Sequence, residues 1–425
     1  MIHIGWIFAI MAATFVVGLF ALRWPLPISL IIAAMVGAFL AGFGVPFRHL
    51  VEGGFGYLNL ILTLFAGAFF SQVMRYSGAA GALADAIAAG KHRFLPLVIA
   101  GILPFVAGMF TGIAGVAVLT VGAFAAPLLQ RVGLASPVAA AYIAVMATLG
   151  MVAPPLNVPA MVMADGVNMP FAGFSTSLWA LSLPTALLAL LTFARQTLAP
   201  AGLPADAQAA RNSRPAPNAR AWVGGITILG VIAFWAIIRY WPGLIFDPSI
   251  PLVLVVASLF GVPMLSGRDW TEVARLVFAG TPLLLAAILV AVGILVQIMT
   301  LTGVRGWLII HAMSFESPWV YGALVGIPIL GSVLTAIGTA NSLGVPFALA
   351  FIHQDMILNI SALSAICALS EFCPPTAIST VLAAYIVGEQ RLWPIIRAAL
   401  PTLAVLTVLA LLMLAFAPVL GPYLR

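Results

Sequence analysis

Long apolar runs, separated by short polar segments, follow one another along almost the whole chain. Of its 425 residues, 64% are hydrophobic and 7% are charged, and the mean hydropathy is +1.20. Because a helix of about 20 apolar residues crosses the hydrocarbon core of a bilayer, this pattern predicts an all-α polytopic membrane protein surrounded by lipid. The 17 Lys and Arg residues are scattered at the ends of the runs. That distribution is typical of topology determinants and not of a nucleic-acid-binding surface.

The runs divide the chain into predicted spans. Uninterrupted spans are predicted at about 5–22, 27–43, 57–74, 176–194, 222–241, 250–266 and 281–303, and a last span ends near 418. An amphipathic segment with Arg268, Asp269, Glu272 and Arg275 precedes the span at 281–303. The polar segment at 195–220 contains Arg195, Arg211, Arg214 and Arg220 and is predicted to be a cytoplasmic linker.

Two further runs, at about 136–168 and 360–388, each contain a proline pair among small and hydroxyl residues. The pairs are Pro154-Pro155 and Pro374-Pro375. Proline donates no amide hydrogen and clashes with the preceding turn, so each pair predicts a broken helix with unpartnered carbonyls. Within a bilayer such groups must face protein, ions or water. Matched interruptions in two halves of a chain indicate the binding site of a secondary transporter, and the alternative is a pair of packing kinks.

Glycines interrupt the two remaining runs. The spacing Gly108-(x6)-Gly115 in the first run recurs as Gly331-(x6)-Gly338 in the second. The first run is either two spans or a re-entrant hairpin. A hairpin at about 94–130 is required if the basic residues that precede and follow it, namely Arg23, Lys91, Arg93 and Arg131, all lie in the cytoplasm.

The second glycine-broken run predicts a hairpin at about 318–352 that enters from the outside, because no Lys or Arg flanks it. His311, Glu316, His353 and Asp355 lie at its ends. The order span, span, hairpin, broken span, span then occurs twice with opposite orientation. The predicted units are a first transmembrane span (1–26), repeat 1 (27–195), a cytoplasmic linker with a connecting span (196–249) and repeat 2 (250–418). These units are two inverted-topology repeats.

Several stretches carry a resemblance to a known family. They are LTLFAGAFF at 62–70, SGAAGALADA at 77–86, FTGIAG at 110–115 and LGMVAPP at 149–155. They resemble the large membrane subunit of the tripartite ATP-independent periplasmic (TRAP) transporters, in the ion-transporter superfamily. EFCPPT at 371–376 is similar to the second Pro-Pro signature of that family.

The resemblance extends over nearly the whole chain and implies a function. It implies sodium-driven uptake of organic acids such as C4-dicarboxylates across the bacterial inner membrane. It also implies an elevator-type movement of the domain that carries the two hairpins. The implied partners are a small four-span membrane subunit and a soluble periplasmic substrate-binding protein.

Sodium sites are predicted where broken backbones face each other. A sodium ion needs several oxygen ligands, and free carbonyls with Ser or Thr hydroxyls supply them. The predicted ligands in the first half are Gly108, Thr111, Gly112, Gly150 and Ala153. Those in the second half are Gly331, Thr335, Gly338, Ser370, Glu371 and Cys373.

Substrate binding is predicted at the helix N-termini that follow each tip and break, because free amides and the positive helix end attract anions. The predicted substrate-binding residues are Thr111, Gly112, Pro154, Pro155, Asn157, Thr339, Asn341, Pro374, Pro375 and Thr376. For each polar residue the alternative is an interhelical packing contact. No Lys or Arg within the apolar runs stands out as a clamp for a carboxylate.

Glu371 is a carboxylate at predicted membrane depth, and such groups are expensive and usually functional. It is predicted to bind a cation, to carry a proton, or to accept hydrogen bonds from amides freed by the break. The chain has no hydrolase, zinc-protease or nucleotide-binding motif, so it is predicted not to be an enzyme and to use sodium ions, not a cofactor. The alternative function is a stand-alone proton- or sodium-coupled organic-anion carrier of the same superfamily, with no binding protein.

The predicted hairpin at 94–130 can be tested by labelling cysteines introduced at Lys91 and Arg131. We expect neither cysteine to react in intact cells with a thiol reagent that does not cross the membrane, because both positions are predicted to be cytoplasmic. Both should react after the cells are permeabilised. Labelling of one position alone in intact cells would mean two ordinary spans and would remove the inverted repeat.

Overall fold

The described part of the chain consists of helices joined by short turns. The computed structural model describes residues 3–89, 94–198, 218–241, 243–244, 246, 248–314, 319–351 and 354–424, and it contains no strand within them. Its helices are α1 (Ile4–Val16), α2 (Leu26–Leu40), α3 (Phe47–Phe55), α4 (Leu58–Tyr76), α5 (Ala79–Ala88), α6 (Leu95–Thr111), α7 (Ala114–Arg131), α8 (Ser136–Val152), α9 (Val158–Gly166), α10 (Ser175–Leu198), α11 (Ala219–Tyr240), α12 (Ile250–Ser258), α13 (Gly267–Phe278), α14 (Thr281–Leu301), α15 (Val304–Met313), α16 (Trp319–Gly331), α17 (Thr335–Thr339), α18 (Val345–Ala350), α19 (Met356–Ala368), α20 (Ile378–Val387), α21 (Leu392–Ala415) and α22 (Ala417–Leu424).

Seven segments among the described residues are long and apolar enough to cross a membrane. They are Ile4–Ala21, Phe47–Tyr76, Ala114–Arg131, Ser175–Gln196, Ala219–Tyr240, Gly267–Leu301 and Leu392–Ala415. Their length and composition support the prediction of a helical polytopic membrane protein. The shorter apolar helices include α6 and α8 and both parts of the second proline-broken run, α19 and α20.

Two predicted spans are shorter than the sequence indicated. α2 ends at Leu40, because Gly42 and Gly44 adopt positive φ angles and stop the helix. α12 ends at Ser258, and the separate 3₁₀ turn Val262–Met264 completes the predicted run. Pro263 lies inside that turn and has no amide hydrogen with which to continue an α-helix.

Amphipathic helices precede the long helices α4 and α14. The predicted amphipathic segment is α13, and its first turn is closed by Ser266 and Asp269, whose side chains each accept a hydrogen bond from the other residue's backbone amide. The amphipathic helix α3 lies between the predicted spans at 27–43 and 57–74, where no helix was predicted, and it contains Arg48 and Glu52. These two residues lie one helical turn apart and form an exposed ion pair at 2.7 Å.

The first glycine-broken run forms a helical hairpin of α6 and α7, which pack against each other. Gly112 ends α6 in the left-handed conformation, with φ of +65°, which other residues adopt only with strain. Ile113 is extended, and α7 begins at Ala114. The predicted interruption of the run is therefore confirmed at residues 112–113.

The second glycine-broken run is interrupted over a shorter segment than predicted. α16 ends at Gly331, residues 332–334 form the turn, and α17 begins at Thr335. The chain then continues without a break through a π-helical turn at Ala340–Gly344 into α18. Only the turn itself leaves the helical conformation, so Gly338 of the predicted glycine spacing lies within α17.

Both proline pairs interrupt helices, as the sequence predicted. Residues 153–157 separate α8 from α9, and this segment is called the first break. After α19 the chain passes through a 3₁₀ turn at Leu369–Phe372 before α20 begins at Ile378. Residues 369–377 are called the second break. Both Pro-Pro peptide bonds are cis.

The helices before and after α11 follow the same order. Each series contains a short helix, an amphipathic helix, a long helix, another short helix, a hairpin, a broken helix and a final long helix, over α2–α10 and again over α12–α21. The contacts between the series are reciprocal. α2 and α3 pack against α14, while α12 and α13 pack against α4.

The hairpins and broken helices form the interior. Almost every residue of α7, α8 and α19 is buried, and many of those residues are alanine. By contrast, α1 and α11 expose apolar side chains such as Trp6, Trp222 and Leu229. This arrangement places small residues where helices meet and large apolar residues where lipid is expected.

Some predicted positions lie outside the described residues. They are Lys91, His92, Arg93, Arg211, Arg214, Glu316 and His353. Arg131 is described and forms an ion pair with Asp85, with Nε and Oδ1 separated by 2.7 Å. Its Nη1 also donates a hydrogen bond to the carbonyl of Gly81 at 3.0 Å. Whether Lys91 and Arg131 lie on the same side stays a prediction.

Two predicted sodium ligands, Gly108 and Gly150, lie where α6 and α8 cross in close contact. A Cβ atom at Gly108 would overlap the carbonyl oxygen of Ala147, and one at Gly150 would overlap the carbonyl oxygen of Phe105. Because neither obstacle is a flexible side chain, the two backbones would have to separate. Glycine at both positions therefore allows direct contact between the helix backbones.

Replacing Gly150 by alanine should lower the thermal stability of the purified protein, because overpacking costs typically about 1–3 kcal/mol. Gly230 in α11 is a matched control, since a Cβ atom there has nothing within 4 Å. Gly230→Ala should leave stability unchanged or raise it by up to about 1 kcal/mol. The measurement is the unfolding temperature of both variants in detergent. Equal temperatures would contradict the packing role of Gly150.

Candidate binding site

The hairpin tips and helix breaks of both halves lie together in the protein interior. The first tip is defined as residues 108–115 and the second tip as residues 331–339. α20, which follows the second break, packs against α7 and α8 of the first half. α9, which follows the first break, packs against the π-helical turn of the second half. Most residues predicted as ligands are therefore gathered in one region.

The first tip lies against the first break through backbone and apolar contacts. A Cβ atom at Gly112 would lie 3.0 Å from the carbonyl oxygen of Leu156. The amide of Ala114 donates to Sδ of Met151 at 3.4 Å. Thr111 is buried and donates from Oγ1 to the carbonyl of Ala107 at 2.7 Å. Among the described residues, no charged side chain hydrogen-bonds to this tip.

Asn157 satisfies the backbone at the first break. Its Oδ1 accepts from the amide of Ala160 at 2.9 Å, which caps α9. Its Nδ2 donates to the carbonyl of Val152 at 3.0 Å and to Oγ of Ser364 at 2.9 Å. Both amide hydrogens are thus used, and Asn157 joins α8, α9 and α19. Its predicted role in substrate binding stays a prediction.

The proline pair of the first break lies near the C-terminal end of α11. Arg239 donates from Nη2 to the carbonyl of Pro155 at 3.4 Å. The ring of Tyr240 lies edge-on to the ring of Phe110 in the first tip, with centroids 6.1 Å apart. The first tip and the first break therefore both contact the C-terminal end of α11.

The second tip is held by hydroxyl groups. Thr339 donates from Oγ1 to the carbonyl of Gly331 at 2.8 Å, which connects the two sides of the tip. Thr376, after the second proline pair, donates to the carbonyl of Ser332 in the turn. Both threonines are buried. Three predicted site residues, Gly331, Thr339 and Thr376, thus contribute hydrogen bonds that fix the tip on the break.

The carboxylate of Glu371 joins the second break to the second tip. Oε1 accepts from the amide of Ala336 at 3.2 Å, at the start of α17. Oε2 accepts from the amide and the hydroxyl of Ser379, at 3.1 and 2.6 Å, at the start of α20. Glu371 is only 6% exposed. One side chain therefore satisfies free amides at the beginning of two helices.

The other polar groups of the second break bond locally. Ser370 donates from Oγ to the carbonyl of Cys367 at 2.7 Å. The amide of Cys373 donates to the carbonyl of Ser370 at 3.1 Å. Pro374 is exposed and Pro375 is partly exposed. Cys367 and Cys373 are free cysteines.

A small cavity of about 30 Å³ lies between the two tips. Its lining includes Ile113 and Gly115 of the first hairpin, Thr335 and Ile337 of the second, and also Met151 and Glu371. A cavity needs roughly 10–15 Å³ of such volume to hold one water molecule. The space between the tips therefore has room for one or two water-sized species but not for an organic anion.

Asn341 and Gly338 lie at the edge of this region. Arg305 of α15 donates from Nη2 to the carbonyl and to Oδ1 of Asn341, at 3.0 and 2.9 Å. The carbonyl oxygen and Oδ1 of Asn341 thus both accept hydrogen bonds from the guanidinium of Arg305. Gly338 lies beside the side chain of Tyr57, whose hydroxyl oxygen would be 3.2 Å from a Cβ atom at that position.

Sequence reasoning missed three residues that hold this region together: Arg305, Ser364 and Ser379. Ser379 could have been found, because it lies in the first turn after a predicted break, where free amides are expected. Arg305 lies in a short helix between two apolar runs and carries no sequence signal for a contact with Asn341. Ser364 lies in the middle of α19, and only the packing of α19 on the first break identifies it.

Comparison with known proteins gives no match: no protein-family model and no curated protein matches the sequence of this chain. Within the described residues, no group of three or more His, Cys, Asp or Glu side chains is placed to hold a metal ion. A cation in this region would thus be bound by carbonyls, hydroxyls and the single carboxylate of Glu371.

Replacing Glu371 by glutamine should loosen the second tip. An amide has one oxygen, so Glu371→Gln cannot accept from Ala336 and Ser379 with separate oxygens. A lost hydrogen bond to a charged group costs about 1.5–3 kcal/mol, so amide exchange in residues 332–344 should rise roughly tenfold or more. The measurement is hydrogen exchange by mass spectrometry in detergent.

Two controls accompany this experiment. Glu272→Gln removes a carboxylate that pairs with Arg275 on an exposed helix face, and it should not change exchange at the second tip. Peptides from the first tip should be unaffected in both variants. Unchanged exchange at 332–344 in Glu371→Gln would show that the carboxylate does not hold the tip.

Proposed function

We propose that this chain is the large membrane subunit of a secondary transporter that takes up a small organic anion of the carboxylate class, driven by the sodium gradient. The observation that carries the proposal is the meeting of the two tips, the second break and the end of α8, from both halves of the chain, around one small cavity. Interrupted helices are tolerated at membrane depth where they line a site. In secondary transporters such helices come from structural repeats.

Inverted repeats are supported by the reciprocal packing of the two series of helices. α2 and α3 pack on α14, and α12 and α13 pack on α4, as a two-fold relation requires. α11 lies between the series, and one additional crossing reverses the orientation of the series that follows it. The proposed topology is therefore that of two inverted-topology repeats, each with a re-entrant hairpin and a broken helix.

The position of α11 supports uptake from the outside. Its N-terminal end carries Arg220, which lies against Gly78, near the ion pair of Arg131 and Asp85. This arginine-rich end is the cytoplasmic one by the positive-inside rule. Its other end carries a single arginine, Arg239, beside Tyr240, which contacts the first tip. We therefore assign the first tip and break to the outer side, and an elevator-type movement would carry them inwards.

Sodium is the proposed coupling ion. The cavity between the tips has room for an ion, and Thr335, Gly115 and Glu371 line it among mostly apolar side chains. A buried carboxylate favours a cation nearby. The same carboxylate supports proton coupling as the second candidate, because Glu371 is the one acidic side chain in that cavity lining.

The proposed partners follow from the resemblance to TRAP transporters. They are a soluble periplasmic binding protein that delivers the substrate and a small four-span membrane subunit in the bacterial inner membrane. A stand-alone carrier without a binding protein is the alternative. Uptake by vesicles that contain the chain alone would favour that alternative.

Replacing Pro154-Pro155 or Pro374-Pro375 by Ala-Ala should reduce sodium affinity and uptake while the protein still folds. Alanine allows the helix to close, and each proline removed relieves a penalty of roughly 3 kcal/mol in a helix interior. Sodium-dependent uptake of a labelled C4-dicarboxylate into vesicles with all three proposed components measures the effect, and thermal unfolding reports the fold. Pro184→Ala, within α10 and exposed, is the control.

The coupling ion is tested in the same vesicles. Uptake should require a sodium gradient and should persist when the proton gradient is collapsed. Unchanged sodium dependence in both double-alanine variants would overturn the site. Uptake driven by protons alone, and abolished in Glu371→Gln, would favour the proton-coupled carrier.

A further inference from the structure

The long helices α4 and α14 end in the same sequence pattern. α4 leads into α5 through QVMRYSGAAG at 72–81, and α14 leads into α15 through QIMTLTGVRG at 297–306. Both segments fit Gln-x-Met-x-x-(Ser/Thr)-Gly-x-x-Gly, and the first glycine of each, Gly78 or Gly303, has a positive φ angle. The pattern therefore aligns the two helices, with Gln72 of α4 corresponding to Gln297 of α14.

Leucines at corresponding positions of these two helices line the cavity between the tips. They are Leu60 and Leu64 on α4, and Leu285 and Leu289 on α14. In the alignment Leu60 corresponds to Leu285, and Leu64 corresponds to Leu289. Within each helix the two leucines lie one turn apart on the same face. No other residue of α4 or α14, which are both described over their whole length, lines this cavity.

The polar lining of the cavity comes from other elements. Thr335 belongs to the second tip and Glu371 to the second break. On the side of the long helices, Leu64, Leu285 and Leu289 are at most 5% exposed. A species in the cavity therefore meets a hydroxyl and a carboxylate on the tip and break, but only hydrocarbon on α4 and α14.

The boundary between the long helices and the hairpins is also apolar. Leu119 of α7 packs directly on Gly67 of α4. Among the described residues, one side-chain hydrogen bond joins α4 or α14 to a hairpin or a broken helix, and it runs from Nε2 of Gln72 to the hydroxyl of Tyr385 at 2.8 Å. Gln72 lies about two helical turns beyond Leu64. No such bond therefore crosses the boundary at the level of the leucines.

An apolar wall of this kind opposes the passage of ions. Hydrophobic constrictions in membrane proteins stop ions by excluding the water that would hydrate them. An ion that left Thr335 and Glu371 along α4 or α14 would lose its oxygen ligands and gain none. Movement along this boundary is therefore unfavourable for as long as the wall stays apolar.

We propose that the four leucines form an apolar seal that prevents ions from leaking across the membrane between the long helices and the hairpins. The members of this leucine seal are Leu60, Leu64, Leu285 and Leu289. In the proposed topology α4 and α14 run in opposite directions, so each of two layers of the seal contains one leucine from each helix. Because the seal borders the proposed ion site, it rests on the proposed function.

The test is passive sodium entry into liposomes that contain the purified full chain and no substrate. A sodium-sensitive dye trapped inside reports entry after sodium chloride is added outside, and potassium with valinomycin balances the charge. The parent chain should admit sodium no faster than protein-free liposomes. Leu289→Ser should admit it about tenfold faster or more, because a hydroxyl and the space left by the smaller side chain let water enter the wall.

Leu284→Ser is the matched control, with the same substitution on the same helix. Leu284 is 50% exposed and does not line the cavity, so this variant should not leak. Leu289→Met keeps an apolar side chain of similar volume and should also stay closed. Leu60→Ser changes the partly buried member of the seal and should leak like Leu289→Ser. Unfolding temperatures in detergent report which variants fold.

Each outcome decides the proposal. Sodium entry in Leu289→Ser and Leu60→Ser, but not in Leu284→Ser or Leu289→Met, supports the seal. Entry in the folded seal variants that is no faster than in Leu284→Ser would overturn it, and so would a parent chain that leaks. If the parent stays closed and the seal variants leak while no sodium-dependent uptake is found, the proposed function fails and the seal stands.

Discussion

The requirement that every buried backbone group finds a partner governs this fold. At membrane depth no water is available to satisfy an interrupted helix, so each interruption must be satisfied by protein. The first break is satisfied by Asn157, which bonds to backbone on both of its sides. The second break is satisfied by Glu371, which accepts amides from two helix beginnings. The two solutions differ in charge, although the interruptions have the same chemical origin in a proline pair.

Close helix packing then brings these interruptions together. Alanine and glycine are frequent in α7 and α8, and the α6 and α8 backbones touch at Gly108 and Gly150. Within a bilayer the hydrophobic effect does not drive helices together, so their association depends on the close packing that small residues permit. The cavity left between the tips has a volume of only about 30 Å³. Glycines proposed as ion ligands thus have a packing role as well.

The sequence allowed the helix interruptions to be predicted because their causes are local. Proline has no amide hydrogen, and a glycine with positive φ ends a helix wherever it lies. The extent of the second interruption was not predictable, because Thr335 resumes a helix whose amide at Ala336 is satisfied by a residue 35 positions away. Likewise, the link from Asn157 to Ser364 and the contact of Arg305 with Asn341 are set by tertiary packing.

The two tips are held to their breaks by different kinds of hydrogen bond, and this difference has a thermodynamic consequence. Lifting the second tip from its break requires separating a carboxylate from amides, whereas lifting the first breaks only contacts between neutral groups. Hydrogen bonds to charged groups are about twice as strong as those between neutral groups. Two tips that occupy corresponding places in the chain therefore have unequal probabilities of spontaneous opening. A cation bound beside Glu371 would neutralise its charge and change that ratio. Occupancy of such a cation site would therefore shift which of the two tips opens first.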